Sequence, residues 1–429
     1  MLKKIVIFIL RWEAKSALNK FHPRVVAITG SVGKTSAKEA IAAVLGLKFS
    51  IRKSPKSYNS ELGVPLTILG LSSEWQSGWG WIKNIVRGIG VLFAKNYPEV
   101  LVLEMGVDRP GDMDAMAALV SPFVGVVTAI GEVPVHVEFF PGPTAVAEEK
   151  GKMLEAIMPE GFSVLNGDDD VVRDLAARAR GTTFTFGFGA GSDIRISQYR
   201  LVETRGEGAV IPEGIAFKLD YRGSTLPVRI QGAFGKQQTY AAAAAVAVGA
   251  AFGLNPVEMV EALGAYTAPP GRLRAIEGIR HSIILDDSYN ASPIAMHAAL
   301  DVLRDMPATR RIAVLGDMLE IGKFTIPAHQ AMGELAASLA DIVWTVGPRA
   351  KFIAKEARDR GMAAEAVREF SSSTDAASAL QEILQAGDVV LVKGSQSMRM
   401  ERVTEAVMAH PEEAPQLLCR QEEYWKRKE

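Results

Sequence analysis

Short apolar runs alternate with helical segments along most of the chain. Residues 25–29 (VVAIT) form the first run, which ends in a glycine-rich turn, and residues 34–47 follow with Ala and Leu at helical spacing. Similar apolar runs at residues 100–103, 124–128 and 163–165 are typical of strands buried in a parallel sheet. The order of strand, glycine turn and helix predicts an α/β domain.

The pattern changes between residues 181 and 232. Four segments there alternate apolar and polar residues between glycine-containing turns: TFTFGF, DIRISQYRLVE, IAFKLDYR and LPVRIQG. This alternation predicts a small antiparallel β insert. Residues 239–252 are almost all Ala, Val and Gly, and we expect them to form a buried helix.

The segment TAPPG at residues 267–271 predicts a domain boundary, because tandem prolines followed by glycine end helices and strands alike. The α/β alternation resumes after it, which predicts a second doubly wound, Rossmann-like domain. Its predicted strands are residues 282–285, 312–315, 342–346 and 389–392. We therefore expect an N-terminal helical extension (1–24), a central domain (25–268) and a C-terminal domain (269–429).

The N-terminal apolar stretch, residues 5–10, has six residues, against the ~20 that a helix needs to span a bilayer. It also lacks the cleavage site of a signal peptide. We expect an amphipathic helix that runs toward Lys20 and packs on the central domain. A peripheral membrane contact through Trp12 and the neighbouring basic residues is the less favoured alternative.

Composition narrows the functional classes. The chain has 429 residues, 48% of them hydrophobic and 23% charged, which is ordinary for a globular protein. Its formal net charge of −1 gives no reason to expect a nucleic-acid partner. The single cysteine, Cys419, excludes an internal disulfide and a multi-cysteine metal site, and fits a reducing cytoplasm.

The strongest chemical signal is the segment TGSVGKTS at residues 29–36, between the first predicted strand and helix. Glycines allow backbone N–H groups to converge on phosphate oxygens, and the helix N-terminus adds a favourable dipole. Lys34 can neutralise phosphate charge and the Thr35 hydroxyl can hold Mg²⁺. The loop is shorter than the common P-loop, and a chance glycine turn is the alternative. The candidate nucleotide-binding residues are Gly30, Ser31, Val32, Gly33, Lys34, Thr35 and Ser36.

Three further residues are weaker candidates when taken alone. Glu104 follows the apolar run 100–103, so a carboxylate is expected at the end of a strand beside the glycine loop, where it can hold Mg²⁺. A single histidine such as His136 is usually structural. Lys150, within the charged segment EEKGK, would ordinarily be an exposed residue of a helix.

In these segments the chain resembles the Mur ligases, a family of ATP-dependent amide ligases. The matching stretches run in order from residue 29 to residue 401: TGSVGKTS, YNSELGVPLTIL, LEMGVDRPGDM, HVEFF, VLNGDDD, PGRL, DDSYNASP, AVLGDMLEIG and LVKGSQSMRME. The segments DDSYNASP and LGDMLEIG favour the members that add D-Ala-D-Ala to UDP-N-acetylmuramoyl-tripeptide in peptidoglycan synthesis.

The resemblance implies a P-loop ATPase-type central domain that binds ATP and two magnesium ions. Thr35 and Glu104 would serve one ion, and His136 with an N-carboxylated Lys150 would serve the other. Lys34, Glu104, His136 and Lys150 would form the catalytic set. Further contacts are implied from Gln238 to adenine, from Arg272 and Asp287 of the C-terminal domain to ATP, and from Asn59 to the acceptor substrate, although a turn role fits Asn59 equally well.

The implied reaction begins when the substrate carboxylate attacks the γ-phosphate of ATP. The resulting acyl phosphate is then attacked by the amine of D-Ala-D-Ala, and phosphate leaves. Positioning and charge neutralisation would supply much of the catalysis. The resemblance also implies a cytoplasmic monomer that acts on small-molecule substrates.

Three features depart from the family pattern. The glycine loop starts about 28 residues into the chain, so from this sequence we do not expect before it the domain that holds the nucleotide sugar in the family. The sequence GAFGKQQ (232–238) replaces a segment with a histidine, and Phe234 cannot form that residue's hydrogen bonds. Lys152 stands where the family has Glu, and we expect it to add positive charge beside Lys150.

Two other interpretations remain open at this stage. One is a related amide ligase with a different acceptor, of the poly-γ-glutamate synthase type, which fits a membrane-associated N-terminal helix. The other is a non-catalytic homologue that still binds ATP.

Overall fold

The computed structural model of the chain describes residues 2–55, 57–74, 77–205 and 210–427. Within these residues the fold is α/β, as the sequence predicted, and is built on two sheets. The first sheet is formed by nine described strands: β1 (Arg24–Thr29), β2 (Ile51–Lys53), β3 (Val100–Glu104), β4 (Val124–Val127), β5 (Phe162–Asn166), β6 (Thr182–Gly187), β7 (Ile194–Arg205), β8 (Val210–Tyr221) and β9 (Ser224–Gln231).

Strand order in the first sheet is β2-β3-β1-β4-β5-β6-β7-β8-β9. Neighbours are parallel from β2 through β7, and only β7–β8 and β8–β9 are antiparallel. The antiparallel part predicted for residues 181–232 is thus confined to β7–β9, and β6 is parallel to β5. Alternating polarity predicts a strand but gives no information on its direction.

Helices cover both faces of this sheet: α1 (Leu2–Phe21), α2 (Lys34–Leu45), α3 (Gly63–Leu69), α4 (Gly78–Val91), α5 (Asp112–Leu119), α6 (Pro143–Glu155), α7 (Asp170–Asp174), α8 (Lys236–Ala251) and α9 (Pro256–Gly264). Successive side chains of a strand point to opposite faces. Val26 and Ile28 therefore join the core under α2, α8 and α9, whereas Val25 and Ala27 join the core under α1, α3, α5 and α6.

The second sheet has the order β10-β11-β15-β12-β13-β14. Its described strands are β10 (Arg274–Gly278), β11 (Ser282–Asp287), β12 (Arg310–Gly316), β13 (Ile342–Val346), β14 (Val367–Phe370) and β15 (Asp388–Lys393). All neighbours are parallel except β10–β11. The helices around it are α10 (Pro293–Asp305), α11 (Thr325–Leu339), α12 (Lys351–Asp359), α13 (Ser373–Ile383), α14 (Glu401–Val407), α15 (Ala414–Leu417) and α16 (Glu423–Lys426).

The chain passes from the first sheet to the second between the end of α9 and the start of β10. Phe234 and Val146 of the first part are buried in the same apolar cluster as Leu273 and Leu285 of the second. This shared cluster holds the two sheets together. The division of the chain at residues 24/25 and 268/269 stays a prediction.

No helix in the described portion of the chain is long and apolar enough to cross a bilayer.

Candidate active site

The carboxyl ends of β1 and β3 face the second sheet across an open cleft of about 1080 Å³. The cleft is lined on one side by the glycine loop and on the other by the linker around Arg272 and by Tyr289, and the C-terminal segment around Trp425 also lines it. A crevice at the carboxyl ends of parallel strands is where α/β proteins commonly bind ligands.

The glycine loop follows β1 directly. Gly30 has φ 139°, and a Cβ there would lie 2.2 Å from the Thr128 hydroxyl. Gly33, just before α2, has φ 89°. Both positions favour glycine because L-residues with a side chain rarely adopt such angles. The loop therefore keeps its backbone close to the start of α2.

The loop is anchored on one side and open on the other. The N–H groups of Ser31 and Val32 both donate to the carbonyl of Ala129, at 2.6 and 3.1 Å. Helix α2 begins at Lys34 without a side-chain cap. The first N–H groups of a helix have no intrahelical partner, so the start of α2 can bind an anion such as phosphate.

Lys34 lies within this loop. Its ammonium donates to the Gly30 carbonyl at 2.6 Å. Burial lowers the pKa of Lys34 to about 8, while the nearby carboxylate of Glu104 raises it. The side chain is therefore mostly charged at neutral pH and close to where phosphate would bind.

Thr35 and Glu104 come together as predicted. The Thr35 hydroxyl donates to one carboxylate oxygen of Glu104 at 3.3 Å. The other oxygen lies 3.1 Å from the ammonium of Lys38, and both of these charged side chains are 1% exposed. Hydroxyl and carboxylate oxygens are ligand types that Mg²⁺ prefers, so this pair fits one magnesium ion.

Lys38 was missed by the sequence analysis. It lies one helical turn after Lys34 and also donates to the carbonyl of Ser54 at 2.8 Å. A lysine at i+4 on a helix that begins at a glycine loop must face the same side as Lys34, and this spacing could have indicated its position.

His136 adopts φ 70° at the start of a short 3₁₀ turn. Its Nε2 lies 3.3 Å from Asp108 and its Nδ1 lies 2.7 Å from Glu320. Asp108 and Glu320 were not singled out from the sequence, although both lie in segments that carry the family resemblance. His136 thus contacts carboxylates from both sides of the cleft.

Lys150 lies on α6, lines the cleft and is 2% exposed. Burial, followed by the charge of Lys34, lowers its pKa to about 7. Among the described residues, no hydrogen bond or ion pair to its ammonium is found. A large fraction of this amine is therefore neutral at pH 7.

We expected Lys152 to add positive charge beside Lys150, but its ammonium is directed to other residues. Its ammonium lies 2.5 Å from Asp114 and 2.8 Å from Glu149. These carboxylates neutralise Lys152, and the contact with Asp114 directs it toward α5. A lysine two residues along a helix from Lys150 points away from it, which explains the difference.

Arg272 reaches the glycine loop from the linker. Its guanidinium donates to the Thr35 hydroxyl at 3.5 Å and lies 4.1 Å from the ring centroid of Tyr289. The aromatic ring fixes the guanidinium plane. Arg272 therefore brings a positive charge from the second sheet to the start of α2.

Gln238 and Asp287 do not line the cleft. The buried Gln238 amide donates to the Arg272 carbonyl at 3.0 Å and accepts from the Tyr266 hydroxyl at 2.7 Å. Asp287 accepts from the buried ammonium of Lys393 at 2.6 Å. These contacts hold the linker and β11, and the ATP contacts implied for Gln238 and Asp287 stay a prediction.

The contact of Asn59 with the acceptor substrate stays a prediction. Asn59 lines the cleft, and its carbonyl accepts from the Gly106 N–H at 2.7 Å. Its side chain packs so closely on Gly106 that a Cβ there would lie 2.8 Å from the amide carbon. The amide is thus held in place beside the strand end of Glu104.

No group of three His, Cys, Asp or Glu side chains arranged for a metal ion occurs in the described part of the chain. The candidate magnesium ligands are of other kinds. Thr35 contributes a hydroxyl beside the carboxylate of Glu104, and Lys150 would contribute an oxygen only after N-carboxylation.

Family models match two regions of the chain. The Mur ligase middle domain matches residues 83–249, and the Mur ligase, glutamate ligase domain matches residues 271–396.

Curated relatives and solved structures agree with this match. The UDP-N-acetylmuramoyl-tripeptide–D-alanyl-D-alanine ligase of Mycobacterium leprae is 32% identical over 404 residues, covering 87% of this chain and 71% of the relative. The ligase of the same name from Bacillus subtilis is 28% identical, covering 94% of this chain and 79% of the relative. The crystal structure of the MurF ligase from Thermotoga maritima in complex with ADP has a TM-score of 0.76 at 28% identity and covers 93% of this chain and 83% of its own. The two sheets, the glycine loop and these similarities together show that the chain belongs to the Mur ligase family.

Proposed function

We propose that this protein joins D-Ala-D-Ala to UDP-N-acetylmuramoyl-tripeptide with ATP, forming ADP and phosphate. The relatives of that name support the substrates. The observation that carries the proposal is the meeting of Lys34, Thr35 and Arg272 at the start of α2. Charges from both sheets there surround the place where a triphosphate would bind.

The ATP phosphates would lie on the glycine loop, against the N–H groups at the start of α2. Lys34 and Arg272 would neutralise charge on the transferring phosphoryl group, and Arg272 is held for this by Tyr289. The substrate carboxylate would attack the γ-phosphate and become an acyl phosphate. The free amine of the dipeptide would then attack the acyl carbon, and phosphate would leave.

The magnesium sites follow from the donor atoms. Thr35 and Glu104 would hold one ion, with the ammonium of Lys38 3.1 Å from the second carboxylate oxygen of Glu104. His136 and N-carboxylated Lys150 would hold a second. When bound, magnesium supplies electrostatic stabilisation of phosphate charge.

N-carboxylation of Lys150 is consistent with its surroundings. Carbon dioxide adds to a neutral amine, which gives a carbamate and releases one proton. A buried amine with a pKa near 7 and no described partner is suited to this reaction. The negative charge of the carbamate would be attracted by the positive charge of Lys34, which already lowers the pKa of Lys150.

The contact between His136 and Glu320 would help to keep water out. It joins the loop after β4 to the loop after β12 at the edge of the cleft. An acyl phosphate hydrolyses in water, so enclosure by the second sheet would protect it. Gln238 would hold the carbonyl of Arg272, and its contact with adenine stays a prediction. A cytoplasmic monomer remains our expectation.

The test is phosphate release from Mg-ATP with the two substrates added separately and together. Release that requires both would support the proposal. ATP binding without release in the presence of both would overturn the substrate assignment. Lys34→Ala should abolish release, whereas Lys48→Ala, an exposed lysine of the loop after α2, should not. Activity that survives Lys34→Ala would contradict the assigned site.

A further inference from the structure

Helix α4 has its apolar face turned to solvent. Five large apolar residues follow one another at spacings of three and four along α4 and the turn after it, and they are 44–80% exposed: Trp79, Ile82, Val86, Ile89 and Phe93. The opposite face, which packs inward, carries Gly80, Asn84 and Gly88. A surface helix ordinarily buries its apolar stripe, whereas α4 exposes this stripe and buries its face of small residues.

Helix α1 extends this surface. It packs beside α4, with Glu13 against Gly88 and the ammonium of Lys20 donating to the Leu92 carbonyl at 2.5 Å. Its buried stripe is Val6, Leu10, Ala14 and Ala17, and a second apolar stripe is exposed at Ile5, Phe8 and Trp12. Most of the large exposed apolar side chains among the described residues belong to these two helices and the turn after α4.

The two helices that form this surface are basic. The sequences of α1 and α4 contain seven Lys or Arg residues and a single acidic residue, whereas the whole chain has a net charge of −1. That acidic residue, Glu13, is buried. Lys83 and Arg87 are exposed directly beside Ile82 and Val86 on α4.

We propose that α1 and α4 together form a surface that docks on a membrane containing anionic phospholipids. Tryptophan and aliphatic side chains flanked by lysine and arginine are the composition of helices that lie in the headgroup region. With 14 residues, α4 is about 21 Å long, shorter than the ~30 Å apolar core of a bilayer. It would lie flat, with its apolar side chains inserted and its basic side chains on lipid phosphates.

Charge favours a bilayer over a second copy of this chain. Pairing two copies through this face would bring two positively charged surfaces together, which is unfavourable. An anionic leaflet attracts the same surface, by about 1 kcal/mol or about fivefold in affinity for each basic residue near it. Charge complementarity and the exposed apolar stripe thus point to the same occupant.

The surface is separate from the proposed catalytic residues but connected to the cleft wall. Arg11 of α1 lies 2.8 Å from Glu61, two residues after Asn59 in the segment that lines the cleft. Docking would hold this side of the cleft near the bilayer, and the residues that contact lipid would not be needed for phosphoryl transfer.

The test is co-sedimentation of the full chain with vesicles of phosphatidylcholine alone and with phosphatidylglycerol added. We expect binding to the anionic vesicles that weakens several-fold as salt is raised. The double variant Ile82→Glu and Val86→Glu should lower the partition coefficient at least tenfold. The double variant Lys83→Gln and Arg87→Gln should lower it by about 25-fold on anionic vesicles, from the fivefold per basic residue given above.

Controls separate docking from misfolding and from self-association. Val257→Glu places a single carboxylate at an apolar residue of α9 that is 56% exposed, and it should leave vesicle binding unchanged. Ligase activity without vesicles should be the same in all variants, which shows that they fold. Failure to bind anionic vesicles would overturn the proposal. A dimer that Ile82→Glu dissociates would overturn it in favour of a second copy.

Discussion

Glu320, from the loop after β12, places a carboxylate oxygen 2.7 Å from Nδ1 of His136, from the loop after β4. The contact with His136 lowers the pKa of Glu320. Both residues have positive φ, 63° and 70°, an uncommon conformation for residues with side chains. Two loops from different sheets are thus held in unusual conformations where they meet, which fits a contact that forms when the cleft is closed.

Glu320→Gln should weaken ligase activity without affecting ATP binding. The pair is partly exposed, so its contribution is about 1 kcal/mol, equivalent to about fivefold in kcat/KM. Glu320 has no described contact with the glycine loop, so the dissociation constant for ATP should stay the same. Steady-state kinetics and ATP titration would measure both quantities. Glu334→Gln, which removes an exposed carboxylate from the same part of the chain, should leave both unchanged; an equal loss there would contradict a specific role for Glu320.

The sequence predicted the strands well because buried parallel strands must be apolar on both faces. It located β1, β3, β11 and β15 to within a residue or two. It could not predict that β6 continues the parallel sheet, because direction depends on pairing with β5. The orientation of α4 could not be predicted either. An apolar stripe at helical spacing indicates a helix that faces the core, and only the inward packing of Gly80 and Gly88 shows that this stripe faces solvent.

The sequence located the site residues that follow from the order of strand, turn and helix. It did not locate those that are placed by ion pairs between distant segments. The glycine loop and Glu104 follow from a strand, a turn and a helix in order. Lys38 pairs with Glu104 and Asp108 pairs with His136. The spacing from Lys34 indicates the face of α2 on which Lys38 lies, but neither ion pair can be predicted from the sequence. Asp287 contacts Lys393, a pairing that the sequence did not indicate, and the ATP contact that the resemblance implies for Asp287 stays a prediction.

Lys38→Met should destabilise the protein strongly because it leaves the buried carboxylate of Glu104 without its cation. Removal of one partner of a buried pair costs about 3–5 kcal/mol. The double variant Lys38→Met with Glu104→Gln should recover part of this loss, since the charge is then absent. Urea denaturation of the four proteins would give the coupling energy. Lys48→Met breaks a pair that is half exposed on both sides, and we expect it to cost less than about 1 kcal/mol.

N-carboxylation of Lys150 should depend on pH in a defined direction. Its pKa of about 7 means that the reactive neutral amine increases as pH rises from 6 to 8. Carbon-13 NMR of protein equilibrated with labelled bicarbonate should show a carbamate signal that grows over this range. Ligase activity in carbon dioxide-free buffer should rise when bicarbonate is added. Lys152→Met should keep the signal and Lys150→Met should lose it; a signal that survives Lys150→Met would assign the carbamate to another amine.

Glu13 makes the stability of the α1–α4 contact sensitive to pH. Its carboxyl group is fully buried against Gly88, neither oxygen has a described hydrogen-bond partner, and burial raises its pKa to about 7. Between pH 4.5 and 7 the folded chain therefore binds more protons at this site than the unfolded chain. Stability falls as pH rises through this window and stays low above it. The difference is roughly 3–4 kcal/mol, since the pKa rises from 4.5 to about 7 and each pKa unit corresponds to about 1.4 kcal/mol.

Glu13→Gln removes the ionisable group and keeps nearly the same shape. We expect the variant to be more stable than the natural sequence at pH 8 and to differ little at pH 4.5, as measured by urea denaturation at both values. Glu365→Gln, at an exposed position, should not change the pH dependence. An equal gain from Glu13→Gln at both pH values would mean that the pKa of Glu13 is the same in the folded and the unfolded chain. That result would contradict burial of the Glu13 carboxyl group as the source of the pH dependence.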